Sequence, residues 1–185
     1  MKLLFIGPPG AGKGTQAARV GERLGVPHVS TGEMFRHHVG EDTDLGRQVK
    51  VIMEAGDYVP DSITVAMLED RIAQPDAGDG FILDGFPRTL PQVDALDALI
   101  GQAGLDRVVL FTVDEDELAE RMLSRGRDDD TEETIRTRFR TYNEQTEPLI
   151  ALYRQRDVVV EVDGMGEIDE ITERVLAAVR DGQPG

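Results

Sequence analysis

A glycine-rich loop, Gly7 to Thr15, constrains the fold of this chain more than any other stretch. It follows the apolar run Leu3–Ile6, and a helical pattern begins at its Lys13. Glycines let backbone N–H groups turn inward around phosphate oxygens, and the N-terminus of a helix adds partial positive charge. Lys13 can bridge the outer phosphates of a nucleotide. The loop therefore predicts a triphosphate site between a strand and a helix.

The loop departs from two general patterns. In the common phosphate-binding sequence a Ser or Thr follows the lysine, but here Gly14 follows it and Thr15 comes one place later. The dinucleotide pattern G-x-G-x-x-G does not fit either, because Thr15 stands where its last glycine belongs. Strand, lysine and helix nevertheless stand in register, which favours a phosphate-binding loop over a chance glycine turn.

Short apolar runs alternate with helical patterns along the chain. The runs predicted as strands are Leu3–Ile6, Pro27–Ser30, Phe81–Leu83, Val108–Val113 and Val158–Val162. Helices are predicted at Lys13–Leu24, Asp61–Ala73, Thr89–Ile100, Asp114–Ser124, Thr134–Arg156 and Glu167–Val179. Buried strands that alternate with helices are typical of a parallel sheet covered on both faces. The expected fold is therefore α/β, a three-layer P-loop sandwich around a five-stranded parallel sheet.

Four local features refine this expectation. Asp61 is expected to cap the helix that it precedes. The long pattern Thr134–Arg156 is expected to bend or break at Pro148, which cannot continue the helical hydrogen bonds. Residues 31–59 carry helical patterns without a strand, and residues 125–132 are short and charged. Both are predicted to lie at strand or helix ends, where ligands bind to such sheets.

The third predicted strand ends in the sequence Asp84-Gly85-Phe86-Pro87-Arg88. Asp84 would point from the strand end toward the phosphates and hold Mg²⁺ through water. Arg88 would reach a phosphate on a neighbouring ligand. An ordinary turn with a solvated arginine would explain this sequence in isolation, but the upstream loop favours a functional role.

Four arginines lie near the charged stretch 125–132, namely Arg121, Arg125, Arg127 and Arg138. Salt bridges with nearby carboxylates are an alternative explanation for each of them. As a set they suit the cationic clamp that phosphoryl transfer needs. No Ser or His stands in an arrangement that suggests a catalytic triad. This absence fits a phosphate acceptor, because a phosphate is already an anion and needs no general base.

The composition limits the partners of the chain. A formal net charge of −16 opposes binding to nucleic acid and to anionic lipid. The absence of cysteine excludes disulfides and thiolate zinc sites, and no apolar run is long enough to span a bilayer. We therefore expect a cytoplasmic protein with small phosphate ligands and without a nucleic-acid or membrane partner.

Taken together, these motifs resemble the adenylate kinases over essentially the whole chain. That family has its own phosphate loop, G-x-P-G-x-G-K-G-T, with which Gly7 to Thr15 agrees. Ser30–Arg36 resembles the start of the family's AMP-binding segment, and Gly56–Pro60 resembles its end. Asp84 to Arg88 matches the family's D-G-F-P-R.

The resemblance implies a role for each matching residue. ATP would contact Gly10, Ala11, Gly12, Lys13, Gly14, Thr15, Arg121, Arg125 and Gly166. AMP would contact Thr31, Arg36, Asp57, Tyr58, Val59, Gly85, Phe86, Pro87, Arg88, Gln92, Arg127 and Arg138, with Thr31 and Gln92 at the adenine. The catalytic residues would be Lys13, Arg88, Arg125, Arg127 and Arg138, and Asp84 would hold Mg²⁺ through water.

The resemblance also implies how the chain is divided. Residues 1–29, 60–124 and 133–185 would form the core, residues 30–59 the AMP-binding segment and residues 125–132 a short lid. The implied reaction is the reversible, Mg²⁺-dependent transfer of the terminal phosphoryl group of ATP to AMP, giving two ADP. The enzyme would be a monomer with ATP and AMP or ADP as its ligands, and its lid would hold no zinc.

Two other functions remain open. A related kinase could act on UMP or CMP, but Thr31 and Gln92 stand where those relatives typically have Ala and Asn. A nucleotide-sensing protein without turnover is the second alternative, and the presence of Lys13, Asp84 and Arg88 argues against it.

Overall fold

A parallel five-stranded sheet forms the centre of the fold in the computed structural model, which describes residues 1–101, 104–124, 126–127 and 130–181. The strands are β1 Lys2–Ile6, β2 His28–Ser30, β3 Phe81–Asp84, β4 Arg107–Thr112 and β5 Val159–Asp163. They lie in the order β2-β3-β1-β4-β5, and every neighbouring pair is parallel. The predicted strands are confirmed, with ends that differ by no more than one residue.

Helices connect these strands and cover the sheet. They are α1 Lys13–Leu24, α2 Thr31–Gly40, α3 Asp44–Ala55, α4 Asp61–Ile72, α5 Leu90–Ile100, α6 Glu115–Ser124, α7 Glu132–Thr141, α8 Glu147–Gln155 and α9 Ile168–Asp181. None of the helices in the described ranges is long and apolar enough to cross a bilayer.

The long helix predicted at Thr134–Arg156 is interrupted. It begins two residues earlier as α7, widens into a π-helical turn at Tyr142–Thr146 and continues as α8. Pro148 stands in the first turn of α8, where its ring and its missing N–H disturb the turn that precedes it. The predicted break at Pro148 is confirmed.

The prediction that the Asp61 side chain caps a helix is wrong. Helix α4 begins at Asp61 itself, with Pro60 in the cap position, and no side chain caps the helix. The Asp61 carboxylate instead accepts hydrogen bonds from Thr89 Oγ1 at 3.1 Å and from Gln92 Nε2 at 2.6 Å. The Asp61 carboxylate therefore binds two side-chain donors at the start of α5. The local sequence had predicted that it would accept from backbone N–H groups of α4.

Two hydrophobic clusters cover the opposite faces of the sheet. Along β1, Leu3 and Phe5 belong to one cluster, and Leu4 and Ile6 belong to the other. This alternation follows from the two-residue period of a strand. The first cluster includes buried residues of α1, α6 and α9, and the second includes residues of α4, α5 and α8. The three-layer α/β fold expected from the sequence is therefore confirmed.

A third, smaller cluster lies within the excursion between β2 and β3. It contains the buried side chains of Phe35, Val49 and Val59 and includes partly buried residues of α4 at its edge. Helices α2 and α3 approach so closely that a Cβ added at Gly46 would lie 2.0 Å from the carbonyl oxygen of His38. This segment therefore has packing of its own beside the sheet.

We expect Leu4→Ala to lower the free energy of unfolding by about 2–5 kcal/mol, because it empties a space that is fully enclosed. Leu4 is 0% exposed in the middle strand of the sheet. Val51→Ala is the control, since Val51 is 70% exposed, and its effect should stay within about 0.5 kcal/mol. Urea denaturation followed by circular dichroism would measure both, and equal effects would contradict this description of the core.

Candidate active site

A cleft of about 740 Å³ opens at the carboxyl ends of the strands. Strand β1 lies between β3 and β4; the connection after β1 leads to β2 on one side of it, and the connection after β3 leads to β4 on the other side. Ligands bind at such a switch point in open α/β sheets. The cleft is lined by Gly10, Ala11, Gly12, Lys13, Gly14, Thr15, Thr31, Arg36, Asp57, Tyr58, Val59, Asp84, Gly85, Pro87, Arg88, Gln92, Arg121, Arg127, Arg138 and Gly166, all predicted from the sequence.

Two of the predicted site residues are not placed there. Phe86 is 1% exposed and packs in the core cluster that includes α5 and α8, so it supports the site from behind. Arg125 lies outside the described residues.

The loop between β1 and α1 depends on glycine at specific positions. Gly10 and Gly12 have φ values of 87° and 80°, a region that side chains other than glycine rarely adopt. A Cβ at Gly10 would also lie 2.6 Å from the carbonyl oxygen of Leu118 in α6. The loop is therefore fixed against α6 by close backbone approach.

Lys13 is held against this loop by its own neighbours. Its ammonium Nζ donates to the carbonyl oxygens of Gly7 at 2.8 Å and Pro8 at 2.9 Å. The positive charge therefore lies at the loop and beside the start of helix α1. The lysine and the helix N-terminus can therefore attract the same polyphosphate.

Asp84 ends β3 directly beside the loop. Its carboxylate Oδ2 lies 3.4 Å from Nε2 of His28, without the alignment of a full hydrogen bond, and it accepts weakly from Ser30 Oγ at 3.4 Å. Burial alone would raise the pKa of Asp84, but His28, Lys13 and Arg88 outweigh it and hold that pKa below its ordinary value. Asp84 is therefore an anion in a largely buried position.

The carboxylate of Asp84 lies close to Gly14. A Cβ at Gly14 would lie 3.3 Å from Asp84 Oδ2, closer than most Cβ contacts in proteins. A Ser or Thr at this position would press on the carboxylate. The small size of Gly14 therefore lets the loop lie close to the end of β3.

The site fits a magnesium ion that is held mainly by a nucleotide. Among the residues that the structure describes, no group of three or more His, Cys, Asp or Glu side chains could hold a metal. Mg²⁺ typically keeps several waters and binds through one or two carboxylates together with substrate phosphates. The ionised Asp84 beside the loop supplies that carboxylate.

On the opposite side of the cleft, the carbonyl oxygen of Gly85 accepts two side-chain hydrogen bonds. It accepts from Thr31 Oγ1 at 2.9 Å and from Nε of Arg88 at 2.7 Å. Gly85 has a φ of 81°, and a Cβ there would lie 2.7 Å from Nη2 of Arg88. Because the Thr31 proton points to Gly85, the Thr31 oxygen is left as an acceptor toward a ligand.

Arg88 is fixed from several directions. Its Cζ atom lies 4.8 Å from the centroid of the Tyr58 ring, within the range of a cation–π contact. Its carbonyl oxygen accepts from Thr146 Oγ1 at 3.0 Å, and Thr146 is in turn 2.8 Å from the hydroxyl of Tyr58. The π-helical turn therefore helps to place this arginine.

Gln92, in the first turn of α5, is 2% exposed and both ends of its amide are engaged. Its Oε1 accepts from the backbone N–H of Arg88 at 2.8 Å, and its Nε2 donates to Asp61 Oδ1 at 2.6 Å. The sequence gives no signal for this contact of Asp61, because the partners are 31 residues apart.

Arg121 and Arg138, two of the four arginines near residues 125–132, combine both explanations considered from the sequence. Arg121 lines the cleft, donates to the carbonyl oxygen of Gly164 at 3.1 Å and pairs with Glu117 at 2.9 Å. Arg138 also lines the cleft and pairs with Asp130 at 2.6 Å, in a position that leaves the Asp130 side chain only 1% exposed. Both cations are oriented by carboxylates and still face the site.

Comparison with known proteins gives a consistent result. A family model described as adenylate kinase matches residues 5–158. Curated adenylate kinases of Nocardia farcinica and Kocuria rhizophila are each 52% identical to this chain, over 97% and 96% of it and 99% and 98% of their own length. The adenylate kinase of a Nocardioides species is 53% identical over 97% of both chains. With its phosphate loop, its sheet order and these similarities, the chain belongs to the adenylate kinase family.

Proposed function

We propose that this chain catalyses the reversible, Mg²⁺-dependent transfer of the terminal phosphoryl group of ATP to AMP, giving two ADP. One observation carries the proposal. A single cleft is lined both by the phosphate loop Gly10–Thr15 and by the acceptor group Thr31, Arg36, Arg88 and Gln92. The names of the similar proteins agree with this reaction.

The donor half of the site is assigned to the loop and the residues around it. ATP contacts are proposed for Gly10, Ala11, Gly12, Lys13, Gly14, Thr15, Arg121, Arg125 and Gly166. The support is the glycine loop with positive φ at Gly10 and Gly12, the ammonium of Lys13 against it and the cleft lining shared by the described members of this set. Lys13 would stabilise the charge that develops on the transferred group.

The acceptor half is assigned to the opposite wall. AMP contacts are proposed for Thr31, Arg36, Asp57, Tyr58, Val59, Gly85, Pro87, Arg88, Gln92, Arg127 and Arg138, with Phe86 packed behind them. The acceptor phosphate is already an anion, so the reaction needs orientation and positive charge rather than a base. We propose that the acceptor phosphate is oriented, and its charge balanced, by the catalytic cations Lys13, Arg88, Arg125, Arg127 and Arg138.

Asp84 is the residue that would hold Mg²⁺, through water. When bound, the ion supplies positive charge that neutralises the phosphate oxygens during transfer. The low pKa of Asp84 keeps this carboxylate ionised near neutral pH, and Lys13 beside it orients the phosphates from the other side. No zinc is proposed, since the sequence has no cysteine.

The remaining assignments concern the whole chain. We propose a core of residues 1–29, 60–124 and 133–185, an AMP-binding segment 30–59 and a lid 125–132 that closes to exclude water. The separate hydrophobic cluster of the segment supports this division. We also propose a cytoplasmic monomer, the state and location expected from the sequence.

A panel of acceptors tests the proposed reaction. Purified protein, ATP and Mg²⁺ would be combined with AMP, UMP or CMP, and the formation of diphosphate would be followed. We expect AMP to give the highest kcat/KM. Faster turnover of UMP or CMP would contradict the proposal, and tight binding of nucleotides without turnover would indicate a sensor.

We expect Lys13→Ala to lower kcat by roughly 10² or more, because a preorganised cation at the transferred phosphoryl group is lost. Lys50→Ala is the matched control, since Lys50 is an exposed lysine of α3 that does not line the cleft. Steady-state rates at saturating ATP and AMP would measure both variants. A near-normal kcat for Lys13→Ala would show that the phosphate site is assigned wrongly.

We expect Thr31→Ala to weaken the preference for AMP over pyrimidine monophosphates, because it removes a polar group at the proposed adenine site. Thr31→Ser is the matched control, since it keeps the hydroxyl that donates to Gly85. The ratio of kcat/KM for AMP and CMP would be compared among the three proteins. If the preference is the same in Thr31→Ala as in the parent, another residue reads the base.

A further inference from the structure

The amide of Gln92 lies between two partners of opposite hydrogen-bonding character. Its Oε1 faces the backbone N–H of Arg88 at 2.8 Å, and its Nε2 faces Oδ1 of Asp61 at 2.6 Å. A backbone N–H can only donate, and a carboxylate can only accept. Rotating the amide by half a turn would therefore set donor against donor and acceptor against acceptor. The two partners together permit a single orientation of Gln92.

The carboxylate of Asp61 is itself fixed. Its second oxygen, Oδ2, accepts from Thr89 Oγ1 at 3.1 Å. The Thr89 oxygen caps α5 by accepting from the backbone N–H of Gln92, so its proton is directed away from the helix and toward Asp61. Asp61, the first residue of α4, thus links this helix to the start of α5. One defined oxygen of its carboxylate faces Gln92.

The fixed amide still has capacity for a ligand. The contacts with Arg88 and Asp61 use one of the two Nε2 protons and one of the two Oε1 lone pairs of Gln92. One donor and one acceptor therefore remain on a residue that lines the cleft. Adenine presents an acceptor at N1 beside a donor at its 6-amino group. A 6-oxopurine such as hypoxanthine presents the reverse, a donor at N1 and an acceptor at O6.

We propose that Asp61 is a positioning residue for base selection: it fixes the amide of Gln92 in the orientation that accepts adenine and rejects 6-oxopurines. The inference rests on the proposed function, in which AMP occupies this wall of the cleft. Asp61 acts through Gln92 and Thr89 and is not among the residues that line the cleft.

Asp61→Asn is the most informative change, because asparagine has the same shape but is no longer an acceptor only. If its oxygen stays with the Thr89 proton, its amide nitrogen faces Nε2 of Gln92 and favours the reversed amide. If its oxygen faces Gln92, the Thr89 proton loses its acceptor. The first arrangement reverses the preference of Gln92, and the second keeps it only by giving up the hydrogen bond from Thr89, so the net preference for one orientation is weaker.

The test compares kcat/KM for AMP and for IMP in the parent, Asp61→Asn and Asp61→Ala. A hydrogen bond to a charged group corresponds to about a ten-fold effect or more, so we expect the AMP-to-IMP ratio to fall by about that factor in both variants. The KM for AMP should rise, while the KM for ATP and the kcat at saturating AMP should stay close to the parent values. Ser62→Ala is the matched control, since Ser62 is an exposed neighbour in the same helical turn.

The outcomes separate this inference from the proposed function. A parent protein that does not phosphorylate AMP would overturn both. A parent that does so, with variants that lose AMP and IMP turnover equally or keep the parent ratio, would overturn only the role of Asp61. Asp61→Asn preserves volume, so it decides the question even if Asp61→Ala does not fold.

Discussion

The burial of Leu3–Ile6 in β1 is the constraint on which the rest of the structure depends. Leu3 and Leu4 are 0% exposed, and β3 and β4 pair with this strand on its two sides. A strand fixed in this way also fixes where its loop emerges, between the end of β3 and helix α6. Asp84 and the phosphate loop are therefore held together by the sheet itself.

The sequence was sufficient for features that depend on local patterns. The five strands follow from continuous apolar runs, and the interruption before α8 follows from Pro148. The loop follows from glycines and a lysine at the start of a helix. The cleft also brings together most of the predicted site residues. The strands, the interruption and the loop were predictable because neighbouring residues encode each of them, whereas most residues of the cleft were assigned by resemblance to a family.

The features that escaped prediction depend on contacts between distant side chains. Asp61 looked like a helix cap, because nothing nearby in the sequence signals its partners in α5. His28 showed no chemical pattern, yet it lies beside Asp84 at the end of the adjacent strand. Phe86 belongs to a functional motif but packs into the core. In each case the structure, not the pattern, decides which group a side chain meets.

The central claim is that one cleft holds two nucleotides, with the donor on the loop and the acceptor on the opposite wall. A crystal structure with two adenosines joined by a polyphosphate tests it most directly. One adenosine should lie near Gly166 with its phosphates on the loop, and the other should lie with its base at Thr31 and Gln92. A ligand that occupies the loop alone, with its second adenosine outside the cleft, would contradict the account.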